Sequence, residues 1–294
     1  MTYRAFNLHV ILIVLVLGGA FLCFNYWVNI YGVFGDVSGK SYSPLGGGTT
    51  EYVFKYLFSY NYIPRNFDGL MIGSSITDNW DTSRLNNVKV YNASLNGGRI
   101  ADAKQIVDVV LKYRPNMLII FVIHPIMTQP SSFGVLEKGI WAALGSLELF
   151  RAYYLKLQFE LGFAPQEFNS FGQYDFPEIR KKWNETNVDI SEGTFDEYRL
   201  LVEHARYSGA RVVGLISPIA GPLFKKNREA YRRYYARMRR LFKPWEPIID
   251  LNGPEYDFTD GTHMSRIGAR QAIDAVDLQL DAWMSEGLPM SCHS

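Results

Sequence analysis

Two short motifs, far apart in the sequence, carry the side chains best suited to chemistry. Gly73-Ser74-Ser75 follows the apolar run Gly69–Ile72, and Asp260-Gly261-Thr262-His263 precedes a helix-like C-terminal stretch. A serine hydroxyl needs a base before it can attack at neutral pH, and a histidine base needs a partner that fixes its tautomer. Ser75, His263 and Asp260 would supply the nucleophile, the base and the orienting carboxylate. The pattern therefore predicts acyl transfer through an activated hydroxyl.

Each motif also has an ordinary structural interpretation. Gly73-Ser74-Ser75 alone is typical of a turn. Asp260-Gly261 could likewise be a turn, with Thr262 or Ser265 capping the last helix. A cap and a catalytic base are compatible, because a capped loop is held in place. The joint occurrence of the two motifs favours the catalytic interpretation.

Short apolar runs alternate with amphipathic segments over most of the chain. The predicted strands are Gly69–Ile72, Val88–Tyr91, Met117–Ile123, Arg211–Ile216 and Pro247–Leu251, and the predicted helices span 101–113, 195–207, 227–242 and 265–283. This alternation predicts an α/β fold with a five-stranded parallel sheet and right-handed crossovers. We expect a flavodoxin-like three-layer sandwich, in which ligands bind at the carboxyl ends of the strands. Ser75 and His263 both follow such ends.

The N-terminal segment has the composition of a membrane span. No Asp, Glu, Lys or Arg occurs from Ala5 to Gly35, and Leu8–Val28 is almost wholly apolar. Such a helix crosses a hydrocarbon core of about 30 Å. Arg4 on one side and Asp36 on the other favour a cytoplasmic N-terminus and an uncleaved signal anchor. The alternatives are a cleaved signal peptide and a buried helix of a soluble protein.

The chain divides into four predicted parts. Residues 1–30 form the signal anchor, 31–66 a juxtamembrane linker, 67–285 the main domain and 286–294 a tail. A helical insertion, 126–194, interrupts the domain and contains a predicted helix over 135–161. The insertion either lies over the site and shapes a substrate groove, or packs against the membrane-proximal segment.

Composition narrows the range of partners. The chain has 30 Lys and Arg against 29 Asp and Glu, a net charge of +1, so nucleic acid is not an expected partner. Cys23 and Cys292 do not form a disulfide framework. No metal-ligand spacing or phosphate-binding glycine loop occurs, so no cofactor is predicted. The basic stretch Lys225–Lys243 could meet anionic polysaccharide or lipid headgroups, although a solvated helix face is the more ordinary interpretation.

In their order, these motifs resemble those of the SGNH (GDSL-type) esterase and acyltransferase superfamily. The resemblance covers roughly residues 68–283 and rests on Gly73-Ser74-Ser75, Gly97-Gly98, the strand ending at His124, and Asp260-x-x-His263. The chain is most similar to membrane-anchored branches that modify bacterial envelope polysaccharides, such as the alginate acetylation proteins. The resemblance implies an SGNH-like fold, with Ser75 in the position of the nucleophile.

The resemblance also implies a site for the oxyanion. In the family this site combines the backbone N–H of the nucleophile, the N–H of a glycine and an Asn side chain. Ser75 and Gly97 would supply the two backbone groups, but His124 stands where the Asn is expected. His124 could donate from its imidazole or be an ordinary strand-end histidine. Arg99 could hold an anionic or sugar substrate, with a solvated arginine as the alternative.

The function implied by the resemblance is acyl chemistry outside the cytoplasm. We expect a periplasmic, membrane-anchored acyltransferase or esterase acting on acyl groups, chiefly O-acetyl, of envelope or exopolysaccharide. A membrane-bound acyltransferase would be its partner. The alternative is a catalytically weak or inactive subunit of a polysaccharide biosynthesis or export assembly, an interpretation that the histidine at position 124 keeps open.

Overall fold

Five short apolar runs form one parallel sheet at the centre of the molecule. The computed structural model describes residues 3–47, 49–129, 147–163, 168–174, 188, 190–253 and 255–285. The strands are β1 (Gly69–Ile72), β2 (Val90–Asn92), β3 (Leu118–Ile123), β4 (Arg211–Ile216) and β5 (Ile248–Asp250). Their order is β2-β1-β3-β4-β5, and every neighbouring pair is parallel. The predicted α/β class with a five-stranded parallel sheet is confirmed.

Strand β3 shows why this sheet forms. All six of its residues are apolar and buried, and it pairs with β1 on one side and β4 on the other. Alternate side chains enter two separate hydrophobic clusters, with Ile119 and Phe121 in one and Ile120 and Val122 in the other. A continuous apolar run is typical of a parallel strand that is covered on both faces.

Nine helices are described around the sheet. They are α1 (Tyr3–Val28), α2 (Thr49–Phe58), α3 (Tyr62–Asn66), α4 (Ile100–Tyr113), α5 (Leu147–Glu160), α6 (Glu192–Tyr207), α7 (Gly221–Lys226), α8 (Arg228–Arg239) and α9 (Arg266–Ser285). Helices α2, α4, α6 and α8 contribute to the first hydrophobic cluster, and α9 contributes to the second. Short 3₁₀ turns cover Thr82–Arg84 and Pro125–Thr128.

Two helix predictions differ from the structure. The helix predicted over 227–242 is α8, which ends earlier, at Arg239; a separate short helix, α7, precedes it, because Asn227 leaves the helical conformation at φ −120° and ψ 27°. Of the helix predicted over 135–161, the described part is α5. Residues 130–146 lie outside the described residues, as do Cys292 and the predicted tail 286–294.

Helix α1 lies largely outside the hydrophobic core, with Phe21 and Val28 packed against its edge. It has 26 residues, none of them buried, and it is long and apolar enough to span a membrane. Cys23 lies exposed on this helix. The N-terminal segment therefore has the form expected of a membrane anchor.

The segment predicted as a juxtamembrane linker, 31–66, is part of the folded body. Tyr31, Val37 and Phe54 are buried in the same hydrophobic cluster as the sheet. The Asn66 side chain donates to the Val37 carbonyl at 3.1 Å and accepts from the Gly39 N–H at 2.7 Å. Packing thus continues without a break from the end of α1 into the domain.

Candidate active site

Loops from four strands meet at one edge of the sheet. Ser75 follows β1, Gly97 follows β2, His124 comes directly after β3, and the loop bearing Asp260 and His263 follows β5. Because all five strands are parallel, their carboxyl ends lie at the same edge. The fold therefore places every predicted catalytic and oxyanion residue on this side of the sheet.

Three of these side chains form a continuous hydrogen-bonded chain. The His263 Nε2 lies 2.9 Å from the Ser75 Oγ, and its Nδ1 lies 2.8 Å from the Asp260 Oδ2. A carboxylate can only accept, so Nδ1–H donates to Asp260 and leaves the Nε2 lone pair facing the Ser75 hydroxyl. Ser75 is 8% exposed, whereas the His263 side chain is 33% exposed. The His263 ring can therefore take the proton of the Ser75 hydroxyl, and this ring is partly open to solvent.

The Asp260 carboxylate is fixed by its own loop. Its Oδ1 accepts from the backbone N–H of Thr262 at 2.8 Å and of His263 at 2.7 Å. Burial would raise the pKa of Asp260, but the hydrogen bonds from the His263 ring and these two amides outweigh it and hold the pKa below its usual range. Asp260 therefore stays ionised and fixes the tautomer of His263.

The start of α9 holds this loop in place. The Ser265 Oγ accepts from the Gly268 N–H at 3.1 Å, as an N-cap does. A Cβ on Gly268 would lie 2.1 Å from the Asp257 carbonyl oxygen, so only glycine allows this approach. Of the two predicted caps, Ser265 bonds to the helix, while the Thr262 amide bonds to Asp260.

Gly73 is required by close packing rather than by an unusual backbone angle. A Cβ at this position would lie 2.0 Å from the Thr77 Oγ1 and 2.5 Å from the Ser94 Oγ. Those two hydroxyls are 2.8 Å apart, so the turn after β1 is bonded to the segment after β2. The glycine of the motif thus lets the loop that carries Ser75 lie against its neighbour.

Only one of the two adjacent serines contacts the histidine. Ser74 is fully buried, and its Oγ has no hydrogen-bond partner among the described residues. Its carbonyl accepts from the Thr77 N–H at 3.0 Å, which closes the turn. Of the two serine hydroxyls, the Ser75 Oγ is the one that contacts His263.

Two asparagines that sequence reasoning missed hold the Ser75 loop. The Asn92 amide donates to the carbonyls of Thr77 at 2.8 Å and Trp80 at 3.0 Å. The Asn79 amide donates to the Met264 carbonyl at 2.9 Å and so joins this loop to the one bearing His263. Asn92 was visible in the sequence as a polar residue ending an apolar strand, which was the available signal.

The Gly97 turn has the geometry expected of a tight loop. Gly97 has φ 76°, in the left-handed region that favours glycine. The Arg99 Nη1 donates to the carbonyls of Gly97 at 2.9 Å and Gly98 at 3.0 Å, and burial lowers the pKa of Arg99. This part of the guanidinium is therefore used to hold the turn, whereas the sequence predicted Arg99 as a substrate-binding residue.

His124 presents a free donor at the same edge. It is fully buried, and its Nδ1 accepts from the Ile126 N–H at 3.2 Å. Its neutral ring must then carry the proton on Nε2, which has no partner among the described residues. Burial, helped by the charges of His263 and Arg99, lowers the pKa of His124 to about 3. His124 is therefore a neutral imidazole with an unused N–H.

A buried ion cluster beneath the site was not predicted. The Lys55 Nζ lies 2.8 Å from both Asp78 Oδ1 and Glu51 Oε1, and it donates to the Ser94 carbonyl. All three charged side chains are at most 1% exposed. Burial would lower the pKa of Lys55, but the two carboxylates outweigh it and raise that pKa. Burial and the Glu51 charge raise the pKa of Asp78 well above its usual value. The cluster joins α2 to the loops after β1 and β2.

The described parts of the insertion pack in two places. The Tyr174 N–H donates to the Asp78 carbonyl at 2.9 Å, and the Gln173 side chain donates to the Asn79 carbonyl at 3.2 Å, so 168–174 contacts the Ser75 loop. Helix α5 instead contacts α1, where the Tyr153 hydroxyl donates to Asn25. One piece therefore supports the site loop, and the other packs against the membrane-proximal segment.

Comparison with protein-family models and with curated proteins finds no match for the sequence. Across the described residues, no three His, Cys, Asp or Glu side chains come together as a metal site.

Proposed function

We propose that the protein is a membrane-anchored serine acyltransferase or esterase of the SGNH type. The observation that carries this proposal is the hydrogen-bonded chain from Ser75 through His263 to Asp260. The strand order β2-β1-β3-β4-β5 is that of a flavodoxin-like sheet, which supports the three-layer, SGNH-like interpretation. Ser75 and His124 follow β1 and β3, the neighbours at which the strand order reverses. Ligands of open α/β sheets bind at this position.

In the proposed reaction, His263 serves both half-reactions. Its Nε2 takes the proton of the Ser75 hydroxyl as the Oγ attacks the acyl carbonyl carbon, and ionised Asp260 stabilises the imidazolium that forms. The tetrahedral intermediate collapses, and the departing alcohol takes the proton from His263. The acceptor hydroxyl then loses its proton to His263 and attacks the Ser75 ester. Collapse returns the serine hydroxyl and releases the transferred acyl group.

The negative charge on the carbonyl oxygen needs donors that are already in place. We assign this role to the backbone N–H groups of Ser75 and Gly97 and to the Nε2–H of His124. The unpartnered Nε2 of a neutral, buried His124 supports the assignment. A neutral imidazole with its one proton on Nε2 can donate a hydrogen bond as an Asn amide would, and it adds no full positive charge to the site.

The proposed substrate class rests on the apolar helix α1 and on the resemblance of the motifs to the SGNH superfamily. Helix α1 is long and apolar enough to span a membrane, which supports a protein that works at the cell envelope. The proposed periplasmic side of the domain rests on the charges flanking α1, Arg4 before it and Asp36 after it. Acetyl groups of envelope or exopolysaccharide are the proposed substrates, and a membrane-bound acyltransferase is the proposed partner. A sugar hydroxyl as acceptor makes the protein a transferase, and water makes it an esterase.

A second candidate is a non-catalytic subunit of a polysaccharide biosynthesis or export assembly. The observation that favours it is His124, which occupies the position of the expected Asn.

Labelling with a fluorophosphonate separates the two candidates, because the reagent requires an activated serine. We expect the native protein and Ser74→Ala to be labelled and Ser75→Ala to remain unlabelled. Ser74→Ala is the matched control, since Ser74 is the adjacent serine and does not contact His263. A folded native protein that takes no label would favour the non-catalytic subunit. Loss of label in both variants, with both folded, would show that the assigned nucleophile is wrong.

A further inference from the structure

Helix α5 carries an apolar stripe that the rest of the described protein leaves uncovered. Phe150, Tyr154, Leu157 and Leu161 are each 56–60% exposed. Their spacing of four, three and four residues places them on one face of the helix and its final turn. Leu149 and Ala152, in contrast, are buried in the hydrophobic core. The helix is thus apolar on the side that faces away from the protein as well as on the side that faces it.

The N-terminal part of α5 packs against α1. The Phe150 ring stacks on Phe21 with centroids 5.4 Å apart and planes at 17°. The Tyr153 ring lies 5.4 Å from that of Phe24, one turn further along α1. The exposed stripe therefore begins at a contact with the apolar N-terminal helix.

The position of this contact along α1 fixes its depth once α1 spans a bilayer. A helix of 26 residues is about 39 Å long, which exceeds a hydrocarbon core of about 30 Å. Tyr26 and Trp27, close to the end at Val28, are suited to the headgroup level. Phe21 precedes Val28 by seven residues, about 10 Å, so it lies below that level. Phe150 stacks on Phe21 and shares its depth.

We propose that α5 lies at the membrane surface with this stripe in contact with lipid. The inference rests on the anchoring by α1 that the proposed function includes. Lipid is the occupant that the contacts favour, because the stripe is continuous with a helix whose own apolar side chains would face acyl chains. Exposed Arg151 beside the stripe can reach anionic headgroups while its stem stays along the apolar face. The protein would then meet the bilayer through two helices rather than one.

Site-directed spin labelling of the full-length protein in phosphatidylcholine–phosphatidylglycerol vesicles tests this. In a Cys23→Ala, Cys292→Ser background, single nitroxides would be placed by Leu157→Cys, Leu278→Cys or Ile13→Cys. Leu278 is a matched control, since it is 73% exposed on α9, which packs on the other face of the sheet. Oxygen partitions into lipid and a nickel chelate into water, so power saturation with each reports the surroundings of the label.

We expect the labels at 157 and 13 to favour oxygen and the label at 278 to favour the nickel chelate. A label at 157 that behaves like the one at 278, while the one at 13 stays in lipid, would overturn the proposal and leave the anchoring intact. A label at 157 shielded from both reagents would overturn it in favour of a protein partner or a second copy. A label at 13 in water would overturn the anchoring and this proposal together. Fluorophosphonate labelling of the same samples reports separately on the proposed chemistry.

Discussion

The two histidines at the site carry their protons on opposite nitrogens. His263 donates from Nδ1 to Asp260 and turns a bare Nε2 toward Ser75. His124 accepts at Nδ1 from the Ile126 amide and therefore carries its proton on Nε2. His263 is thus suited to remove a proton, whereas His124 is suited to donate a hydrogen bond. The difference arises because the Nδ1 of His263 faces an acceptor, the Asp260 carboxylate, and the Nδ1 of His124 faces a donor, the Ile126 N–H.

The buried His124 predicts a pH-dependent stability. Its pKa is lowered to about 3 from an ordinary 6.5, so between these values the unfolded chain holds a proton that the folded chain lacks. The contribution of His124 to the free energy of unfolding should therefore fall as the pH drops below about 6.5, by about 1.4 kcal/mol per pH unit. Urea unfolding of detergent-solubilised protein from pH 7 to 4.5 measures the slope. His124→Asn should flatten it, and equal slopes in both proteins would contradict the assigned burial.

The three hydrogen-bonded residues should fail as a unit. We expect His263→Ala to lower kcat for acetyl-ester hydrolysis by roughly 10³-fold or more, with Asp260→Ala costing as much or less. The double variant should be little worse than His263→Ala, because the carboxylate acts through the imidazole. Steady-state kinetics of the three variants check this. Losses that multiply in the double variant would show that Asp260 and His263 act independently.

Among the secondary-structure elements, helix α2 links two of the loops that form the candidate site. Through Lys55 it joins Asp78 in the loop after β1 to the carbonyl of Ser94 in the loop after β2. The Phe168 ring lies over the same ammonium at 5.2 Å. The loops that carry Ser75 and Gly97 therefore share one buried charge as their support.

Replacing this charge should destabilise the fold. Lys55→Met leaves Glu51 and Asp78 buried without a cation, which typically costs about 3–5 kcal/mol. Urea unfolding at pH 7 measures the loss. Lys104→Met is the control, because Lys104 forms an exposed pair with Asp108 and should cost less than about 1 kcal/mol. Adding Glu51→Gln and Asp78→Asn to Lys55→Met should recover part of the stability. No recovery would mean that the charges are not the cause.

Strands and site loops were predictable from the sequence because their signals are local. The apolar run ending at Ile123 and the three-residue spacing from Asp260 to His263 are visible without the fold. One partner of Lys55, by contrast, is Asp78, 23 residues away, and the two meet only after α2 packs on the sheet. A lysine in a short aromatic segment gave no sign that it would be buried. The buried support of the candidate site was therefore not predictable from the sequence, whereas the two motifs that form the candidate site were recognisable.

At the scale of the whole molecule, the segment 31–66 belongs to the domain. Its side chains fill the hydrophobic cluster on one face of the sheet, and its Lys55 enters the ion cluster under the site. A boundary at residue 67, as the composition suggested, would divide this packing.

Truncation tests this organisation. A chain that begins at Asn29 should fold and unfold cooperatively, because it keeps every element of the core. A chain that begins at Phe67 should lack a cooperative transition, since it has lost Tyr31, Phe54 and Lys55. Circular dichroism during thermal unfolding compares the two. A cooperative transition in the shorter chain would show that the segment only decorates the domain.

The turn at Asn29 determines the distance between the candidate site and the end of α1. The Asn29 Oδ1 accepts from the amides of Val33 and Phe34, and the Asn61 side chain donates to the carbonyls of Val33 and Gly35. These bonds hold residues 29–35, directly after α1, against the domain. With α1 in a bilayer, Ser75 would sit at a fixed height and search by lateral diffusion alone. If envelope polysaccharide is the substrate, as we propose, the encounter rate would depend on the surface density of polysaccharide chains leaving the membrane nearby. Polysaccharide already released into bulk solution would not reach Ser75.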